Sequence, residues 1–229
     1  GGENAPPFHY PCRYKSLDFC RYLLEMYPES VTKKQLHYSR EFVQGSLMLP
    51  FHLACKYGSL DLVQYLLEQY PEAIGEQTSD RNYNCDEKKG RYRGCYAPIY
   101  SESNASLLQV GNYPLHLAAS REDSPDKMEI INFILQQDVD AVSKVGKYGN
   151  LPLHRACRHP SGPDTTIIKH LVQVYPAAIH TKNIFGQLPI HLAMQTSDKS
   201  NSEGLTFLAQ EQPDALCALD ERGMSCAHY

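Results

Sequence analysis

The sequence predicts an all-α solenoid made of short, stacked helical repeats. A stretch of seven residues at 151–157, LPLHRAC, recurs as LPFHLAC at 49–55, YPLHLAA at 113–119 and LPIHLAM at 188–194. Less regular copies of this stretch lie at 7–12 and at 226–229. A second apolar block follows each copy, as in LVQYLL at 62–67. Recurrence at this period predicts stacked units, since one unit alone cannot bury its apolar face.

The recurring stretch is predicted to start the first helix of each unit. Its proline suits the first helical position, where the backbone N–H has no partner to lose. The second block carries apolar residues at i, i+1, i+4 and i+5, the pattern of an amphipathic helix. That helix is predicted to end at Tyr-Pro or Gln-Pro, because proline cannot continue it. A glycine-containing tip follows, and we expect positive φ at Gly111, Gly149, Gly186 and Gly223.

The recurring histidines set the unit boundaries. Their spacings reduce to a unit of about 34 residues. Units three to five carry extra residues between their two helices, and longer connectors precede His52 and His116. The predicted array has five units and the start of a sixth. The units are 6–48, 49–74, 111–147, 148–184, 185–221 and 222–229, with an inserted connector at 75–110.

Composition narrows the function classes. The net charge is −4 and no run approaches 18 apolar residues, which argues against general nucleic-acid attraction and against a membrane span. Of the eight cysteines, Cys12, Cys55 and Cys157 share a repeat position with Ala119 and Met194. We therefore expect buried, reduced thiols and an intracellular protein, cytoplasmic or nuclear. The missing initiator methionine and the end inside a repeat suggest a fragment.

The connector at 75–110 departs from the repeat pattern. Its Cys85 and Cys95 do not have zinc-ligand spacing. Three alternatives stay open for these cysteines: free thiols, a disulfide, or part of a metal clamp. Two stay open for the segment: a solvated loop, or a basic, tyrosine-bearing recognition loop.

The histidines and cysteines do not predict catalysis. No GxxxxGK[ST], GxSxG or HExxH motif occurs, so we expect no enzyme activity, cofactor or metal. Four histidines sit in the first turn of a helix, one repeat apart, which is too far for one metal ion. We interpret them as structural: His52, His116, His154 and His191.

The pattern Gly-x-x-Pro-Leu-His-x-Ala, followed by a paired-Leu helix, resembles the ankyrin repeat. The resemblance covers about 6–74 and 111–229. The family's threonine before proline is replaced by Leu49, Tyr113, Leu151 or Leu188, and Pro11 replaces the helix alanine in the first unit.

The resemblance implies a protein–protein interaction scaffold that binds through a concave groove, lined by the first helices, and through the tips. The residues placed there form a basic and aromatic stripe that favours an acidic segment of a partner protein. These candidate partner-binding residues are Arg13, Tyr14, Lys56, Tyr57, Arg121, Lys147, Tyr148, Arg158, His159, Ile184, Phe185 and Gln187. We expect a monomer.

Two alternatives stay open at this point. The chain could be the regulatory or targeting arm of a larger enzyme, such as a kinase or ubiquitin ligase. It could also bind nucleic acid or anionic lipid through the basic stripe, which predicts steep salt dependence.

Overall fold

The computed structural model describes residues 8–39, 42–80, 111–121, 124–159, 164–196 and 203–229. The predicted all-α repeat class is confirmed, because the α-helices follow one another in helix–turn–helix pairs. The pairs are α1 His9–Arg13 and α2 Leu17–Met26, α3 Pro50–Tyr57 and α4 Leu60–Gln69, α5 Pro114–Ala119 and α6 Lys127–Gln137, α7 Pro152–Cys157 and α8 Thr165–Val174, and α9 Pro189–Thr196 and α10 Glu203–Glu211.

Proline sets the helix boundaries where the sequence places it. Helices α3, α5, α7 and α9 each begin at a proline. After four of the second helices, a proline opens a short 3-10 turn: Pro28–Thr32, Pro71–Gly75, Pro176–His180 and Pro213–Leu216. Pro11 does not prevent α1, since it lies in the first turn, where backbone N–H groups lack helical partners.

One continuous apolar core runs along the stack. Each first helix packs against the next first helix, from α1 through α9. The shared cysteine position is fully buried at Cys12, Cys55 and Cys157, and Met194 is partly buried. Burial raises the pKa of the Cys55 and Cys157 thiols, so both stay protonated and unreactive.

A short antiparallel sheet lies in the connector before the second unit, and sequence reasoning missed it. It contains β1 Gln35–Ser39, β2 Phe42–Met48 and β3 Ser79–Asp80, in the order β1-β2-β3. Gln35 pairs with Met48, and Leu47 pairs with Ser79. The strand β3 comes from the start of the next connector. The sheet therefore joins two successive tips side by side.

The tip glycines behave as expected at three positions of four. Gly149, Gly186 and Gly223 have φ of 72°, 71° and 73°. The prediction is wrong for Gly111, whose φ is not positive. That residue must be glycine because a Cβ would lie 1.6 Å from the Thr78 carbonyl oxygen.

Candidate partner-binding surface

A repeated histidine joins the start of its helix to the following tip. Nδ1 of His154 accepts a hydrogen bond from the Leu151 N–H at 3.2 Å. Nδ1 is therefore unprotonated, and Nε2–H donates to the Gln187 carbonyl oxygen at 3.2 Å. Leu151 has no side-chain hydroxyl that could cap the helix, and the His154 imidazole bonds to the Leu151 N–H instead.

The other three histidines lie in the same position. Nε2 bonds to the Glu76 carbonyl at 2.9 Å in His52, to the Asn150 carbonyl at 2.9 Å in His116, and to the Ala218 carbonyl at 3.0 Å in His191. Nδ1 accepts a backbone N–H in His52 and His191. Nδ1 of His116 has no hydrogen-bond partner in the described part of the chain.

Burial controls the protonation of three of these side chains. Desolvation lowers the pKa of His52 and His154 to about 4 and that of His116 to about 3, against the smaller opposing effect of the carbonyl acceptors. These three imidazoles are therefore neutral at pH 7. His52, His154 and His191 use both ring nitrogens to bond backbone groups, which gives them a structural role.

The tips are built on polar side chains that the sequence did not flag. Oδ1 of Asn183 accepts hydrogen bonds from the Phe185 and Gln187 N–H groups, both at 3.0 Å. Asp220, 37 residues later, binds the N–H groups of Arg222 and Met224 in the same way. Such Asx turns hold the tip backbone in a fixed shape.

The tip at 147–149 differs because the matching position, 37 residues before Asn183, is Gly146. A Cβ there would lie 2.6 Å from Nε2 of His116, which accounts for the glycine. Without an Asx side chain, the tip closes as a 3-10 turn in which Tyr148 has φ 65° and ψ 22°. A tyrosine in this left-handed region costs about 1 kcal/mol or more.

Gly146 also explains an unpartnered amide one unit earlier. Oδ1 of Asn150, the residue after the tip at 147–149, accepts a hydrogen bond from Nδ2 of Asn183 at 3.0 Å. One unit earlier, Asn112 stands at the position of Asn150, and Gly146 stands at the position of Asn183. Gly146 has no side chain that could bond to Asn112. Both amide atoms of Asn112 are buried and lack a partner among the described residues.

Two aromatic rings lie side by side on neighbouring tips. The ring centroids of Tyr148 and Phe185 are 5.8 Å apart, and both side chains are half-buried. The Ile184 N–H donates to the Tyr148 carbonyl oxygen at 3.1 Å, which fixes the two tips together. Nζ of Lys147 lies 5.0 Å from the Tyr148 ring centre. We call Lys147, Tyr148 and Phe185 the tip patch.

The predicted exposure of Arg121 is wrong. Its side chain is 1% exposed, and its guanidinium donates to the carbonyl oxygens of Cys55 at 3.1 Å and Gly58 at 2.7 Å. Unit two has a short turn between its helices, and unit three has a longer one. Arg121 follows α5 and satisfies carbonyl oxygens at the end of α3 in the preceding unit.

The predicted exposure is also wrong at four other positions, all of which are at most 8% exposed: Lys56, His159, Ile184 and Gln187. Nζ of Lys56 lies 5.7 Å from the Tyr57 ring centre. Ile184 packs against Gly149, where an added Cβ would approach its Cγ2 to 2.9 Å. Nε2 of Gln187 donates to the Tyr229 hydroxyl at 3.0 Å. Ile184 and Gln187 thus join neighbouring units, and none of the four side chains forms an open surface.

The remaining predicted residues reach the surface. Arg13, Tyr14 and Arg158 are exposed, and Tyr57 is half-buried like the tip patch. The structure thus brings Lys147, Tyr148 and Phe185 together. Arg13 is the last residue of α1 and Tyr14 follows it, so these two residues belong to the first unit and not to the tip patch.

The loops between helices are cross-linked by charges. Nζ of Lys127 bonds to Oδ2 of Asp164 at 3.0 Å, and Oδ1 of the same carboxylate caps α8 through the Thr166 and Ile167 N–H groups. Partial burial opposes ionisation, but these hydrogen bonds outweigh it and lower the pKa of Asp164. The pair therefore joins units three and four.

Other site types find little support among the residues that the structure describes. They contain no cluster of three or more metal-ligating side chains. No described helix is long and apolar enough to span a bilayer. The described cysteines have free thiols. Cys85 and Cys95, and most of the 75–110 connector, lie outside the described residues.

Comparison with family models agrees with this geometry. A model of ankyrin repeats in many copies matches residues 43–83, and a model of a single ankyrin repeat matches residues 110–144. The chain therefore contains ankyrin repeats. The two matched segments together contain α3, α4, α5 and α6, and the same helix pair recurs on either side of them. No curated protein matches the chain.

Ankyrin repeats generally mediate protein–protein interaction and are typically non-catalytic. Of the predicted partner-binding residues, seven remain at least partly open to a partner: Arg13, Tyr14, Tyr57, Lys147, Tyr148, Arg158 and Phe185. The buried arginine, lysine and histidine side chains reduce the predicted basic stripe to Arg13, Lys147 and Arg158.

Proposed function

We propose that this ankyrin array binds a segment of another protein at the tip patch, with the Tyr148–Phe185 ring pair as the anchor. The observation that carries the proposal is the ring pair itself, held half-exposed on two tips at a centroid distance of 5.8 Å. Rigid aromatic side chains next to a cation are favoured at the centres of protein interfaces.

The strained backbone at Tyr148 supports a functional role for the tyrosine ring. A tip needs no tyrosine at φ 65°, and asparagine or glycine would sit there at lower cost. Contact with the tilted Phe185 ring and the proximity of Lys147 offset some of that cost. The result is an aromatic surface in one fixed orientation, which lowers the entropy lost on binding.

The charge next to the rings favours an acidic partner segment. Lys147 lies against the Tyr148 ring, and exposed Arg158 lies at the end of α7, in the unit that the Tyr148 tip opens. A partner that places an apolar side chain on the rings and a carboxylate nearby would match both features. The alternatives of an enzyme arm and of nucleic-acid or lipid binding gain no specific observation, and we do not propose them.

Selection of peptides on the folded protein tests this function. A randomised peptide library displayed on phage would be selected against the chain. The affinity of the enriched peptides would then be measured by fluorescence anisotropy for the parent, for Phe185→Ala and for Phe185→Ala with Arg158→Ala. We expect at least about a tenfold loss with Phe185→Ala, in the range of a hot-spot residue.

The matched control is Tyr175→Ala, which removes a half-buried aromatic at the end of α8 that is not part of the tip patch. It should leave the affinity unchanged. Enriched peptides without acidic residues would refute the acidic part of the proposal. Equal binding by parent and Phe185→Ala, with both folded by circular dichroism, would refute the tip patch as the site.

A further inference from the structure

Three successive tips carry their middle residues in one row. At intervals of 37 residues, the middle position holds Tyr148, Phe185 and Arg222. The tips are joined by the same backbone contact at each step. The Ile184 N–H donates to the Tyr148 carbonyl oxygen at 3.1 Å, and the Glu221 N–H donates to the Phe185 carbonyl oxygen at 3.0 Å. We call Tyr148, Phe185 and Arg222 the tip row.

An Asx turn fixes the backbone of Arg222 as another fixes that of Phe185. Oδ1 of Asp220 accepts the Arg222 N–H at 2.8 Å, and Oδ1 of Asn183 accepts the Phe185 N–H at 3.0 Å. The glycine that follows has a positive φ in both tips, 73° and 71°. Arg222 therefore has the same place in its tip as Phe185 has in the tip one unit earlier.

The tip row is accessible along its whole length. Tyr148 and Phe185 are half-buried although another tip follows each of them, and Arg222 is exposed. The middle position therefore stays open to a partner inside the array as well as on the tip at 221–223. A partner that crosses the three tips meets two aromatic rings and then a guanidinium.

Two acidic side chains lie next to Arg222 in the sequence. Asp220 is 6% exposed, and its Oδ2 accepts the Tyr229 hydroxyl at 2.5 Å, so this carboxylate is engaged within the protein. Glu221 is exposed and has the position of Ile184 one unit earlier, outside the tip row. A partner carboxylate at Arg222 is attracted by the guanidinium and repelled by Glu221, so substitutions at these two neighbours have opposite expected effects.

The distance between tips favours one backbone conformation of a partner segment. Stacked helices are about 8–10 Å apart, and each tip belongs to one stacked unit. In the polyproline II conformation, residues three apart point to the same side and lie about 9 Å apart. In a β-strand, residues on one side are two or four apart, about 7 or 13 Å. In an α-helix, the same step needs about seven residues.

We propose that the tip row binds a polyproline II segment of a partner protein, with an apolar side chain on the two rings and an acidic side chain three residues away on Arg222. The inference rests on the proposed function, because the ring pair is its anchor, and it adds Arg222 as the residue that selects the carboxylate. Unfolded chains already populate this conformation, so the segment loses little backbone freedom on binding. A guanidinium can hold a carboxylate through two parallel hydrogen bonds.

Double-mutant cycles test the contact at Arg222. The peptides are those enriched on the folded protein, each compared with a copy in which the acidic residue is replaced by its amide. By fluorescence anisotropy, Arg222→Gln should weaken binding of the acidic peptide about three- to fivefold and that of the amide peptide less than about 1.5-fold. Glu221→Gln should strengthen binding of the acidic peptide.

The matched control is Arg13→Gln, which removes an exposed arginine of the first unit with the same change in net charge. It should affect the acidic and the amide peptide equally. If Arg222→Gln is not folded by circular dichroism, Arg222→Lys takes its place, with an expected loss of about twofold because an ammonium cannot form the paired bonds. Equal effects of the Arg222 variant on the two peptides would overturn the proposal.

The position of the acidic residue tests the conformation of the segment. Synthetic peptides with this residue two, three, four or seven positions from the apolar anchor should bind best, and couple to Arg222, at three. Best binding at two or four positions indicates a strand and at seven a helix, and either result overturns the proposal. Weaker binding by Phe185→Ala without coupling to Arg222 would refute this inference and leave the proposed function in place. A library that yields no peptide would refute both.

Discussion

Nε2 of His154 lies 3.2 Å from the carbonyl oxygen of Gln187, in the tip that leads into the next unit. The same ring accepts the Leu151 N–H through Nδ1. One side chain therefore satisfies two buried backbone groups that belong to different units. Stability along the array depends on such contacts between neighbours, because each unit packs its helices on those of the next one.

Replacing His154 with leucine should lower the free energy of unfolding by about 2–4 kcal/mol, since two buried backbone groups lose their partners. Urea unfolding followed by circular dichroism measures the loss. His228→Leu is the control, because His228 is exposed and bonds only within its own turn. Equal losses of unfolding free energy in the two variants would contradict the role of His154 in joining two units.

The array should lose stability as the pH falls from about 6.5 to about 4. The unfolded histidines have a pKa near 6.5, whereas in the folded chain that of His52 and of His154 is about 4 and that of His116 about 3. Between these values the unfolded chain binds more protons, so protonation favours unfolding. The effect is negligible above about pH 7.5 and amounts to roughly 1–2 kcal/mol per histidine at pH 5.

Urea titrations at pH 7.5, 6 and 5 measure this dependence. His154→Gln removes one of the three groups and should flatten the curve in that interval, although it is less stable at pH 7.5. Stability that stays constant down to pH 5 would show that the imidazoles are not held neutral.

Arg121→Met should destabilise the array by about 2–3 kcal/mol, because the Cys55 and Gly58 carbonyl oxygens lose a buried donor. Arg121→Lys should not restore stability, since one ammonium cannot reproduce the fork that reaches both oxygens. Arg158→Met is the control: Arg158 is exposed, and its loss should change stability by less than about 0.5 kcal/mol. Thermal unfolding of the three variants decides the point.

Gly149→Ala should destabilise the array by about 1–2 kcal/mol or more, because φ is 72° and the new Cβ would lie 2.9 Å from the Ile184 nitrogen. Gly75→Ala is the matched control, as no atom lies within 4 Å of its Cβ position and its φ is not positive. It should be neutral or slightly stabilising, through a less flexible unfolded chain. Chemical unfolding of both variants gives the comparison; equal stability would contradict the strained tip.

Local chemistry made much of the fold predictable. Proline at a helix start, proline after a helix end and glycine at a tip act through their own backbone, so Pro50, Pro71 and Gly186 are read correctly from the chain. The period of the apolar residues predicted which side of each helix is buried. The sheet at 35–48 was missed because it breaks the period that revealed everything else.

Exposure at the candidate site could not be predicted in the same way. Lys56 lies near the end of α3 and Arg121 just after α5, at positions that are open in a regular array, and charged side chains usually stay in solvent. Arg121 is buried because its guanidinium reaches carbonyl oxygens of residues 66 and 63 positions earlier in the chain. A contact over that distance leaves no pattern in the sequence around Arg121.

The sequence by itself determined the ankyrin architecture, the helix boundaries and the buried positions of the repeated histidines and cysteines, because each follows from backbone chemistry and period within one unit. Only the tertiary structure decided which cations are exposed, that Tyr148 and Phe185 meet, and that β1, β2 and β3 pair into a sheet. Those relations depend on how neighbouring units stack, and they join residues that no local pattern connects.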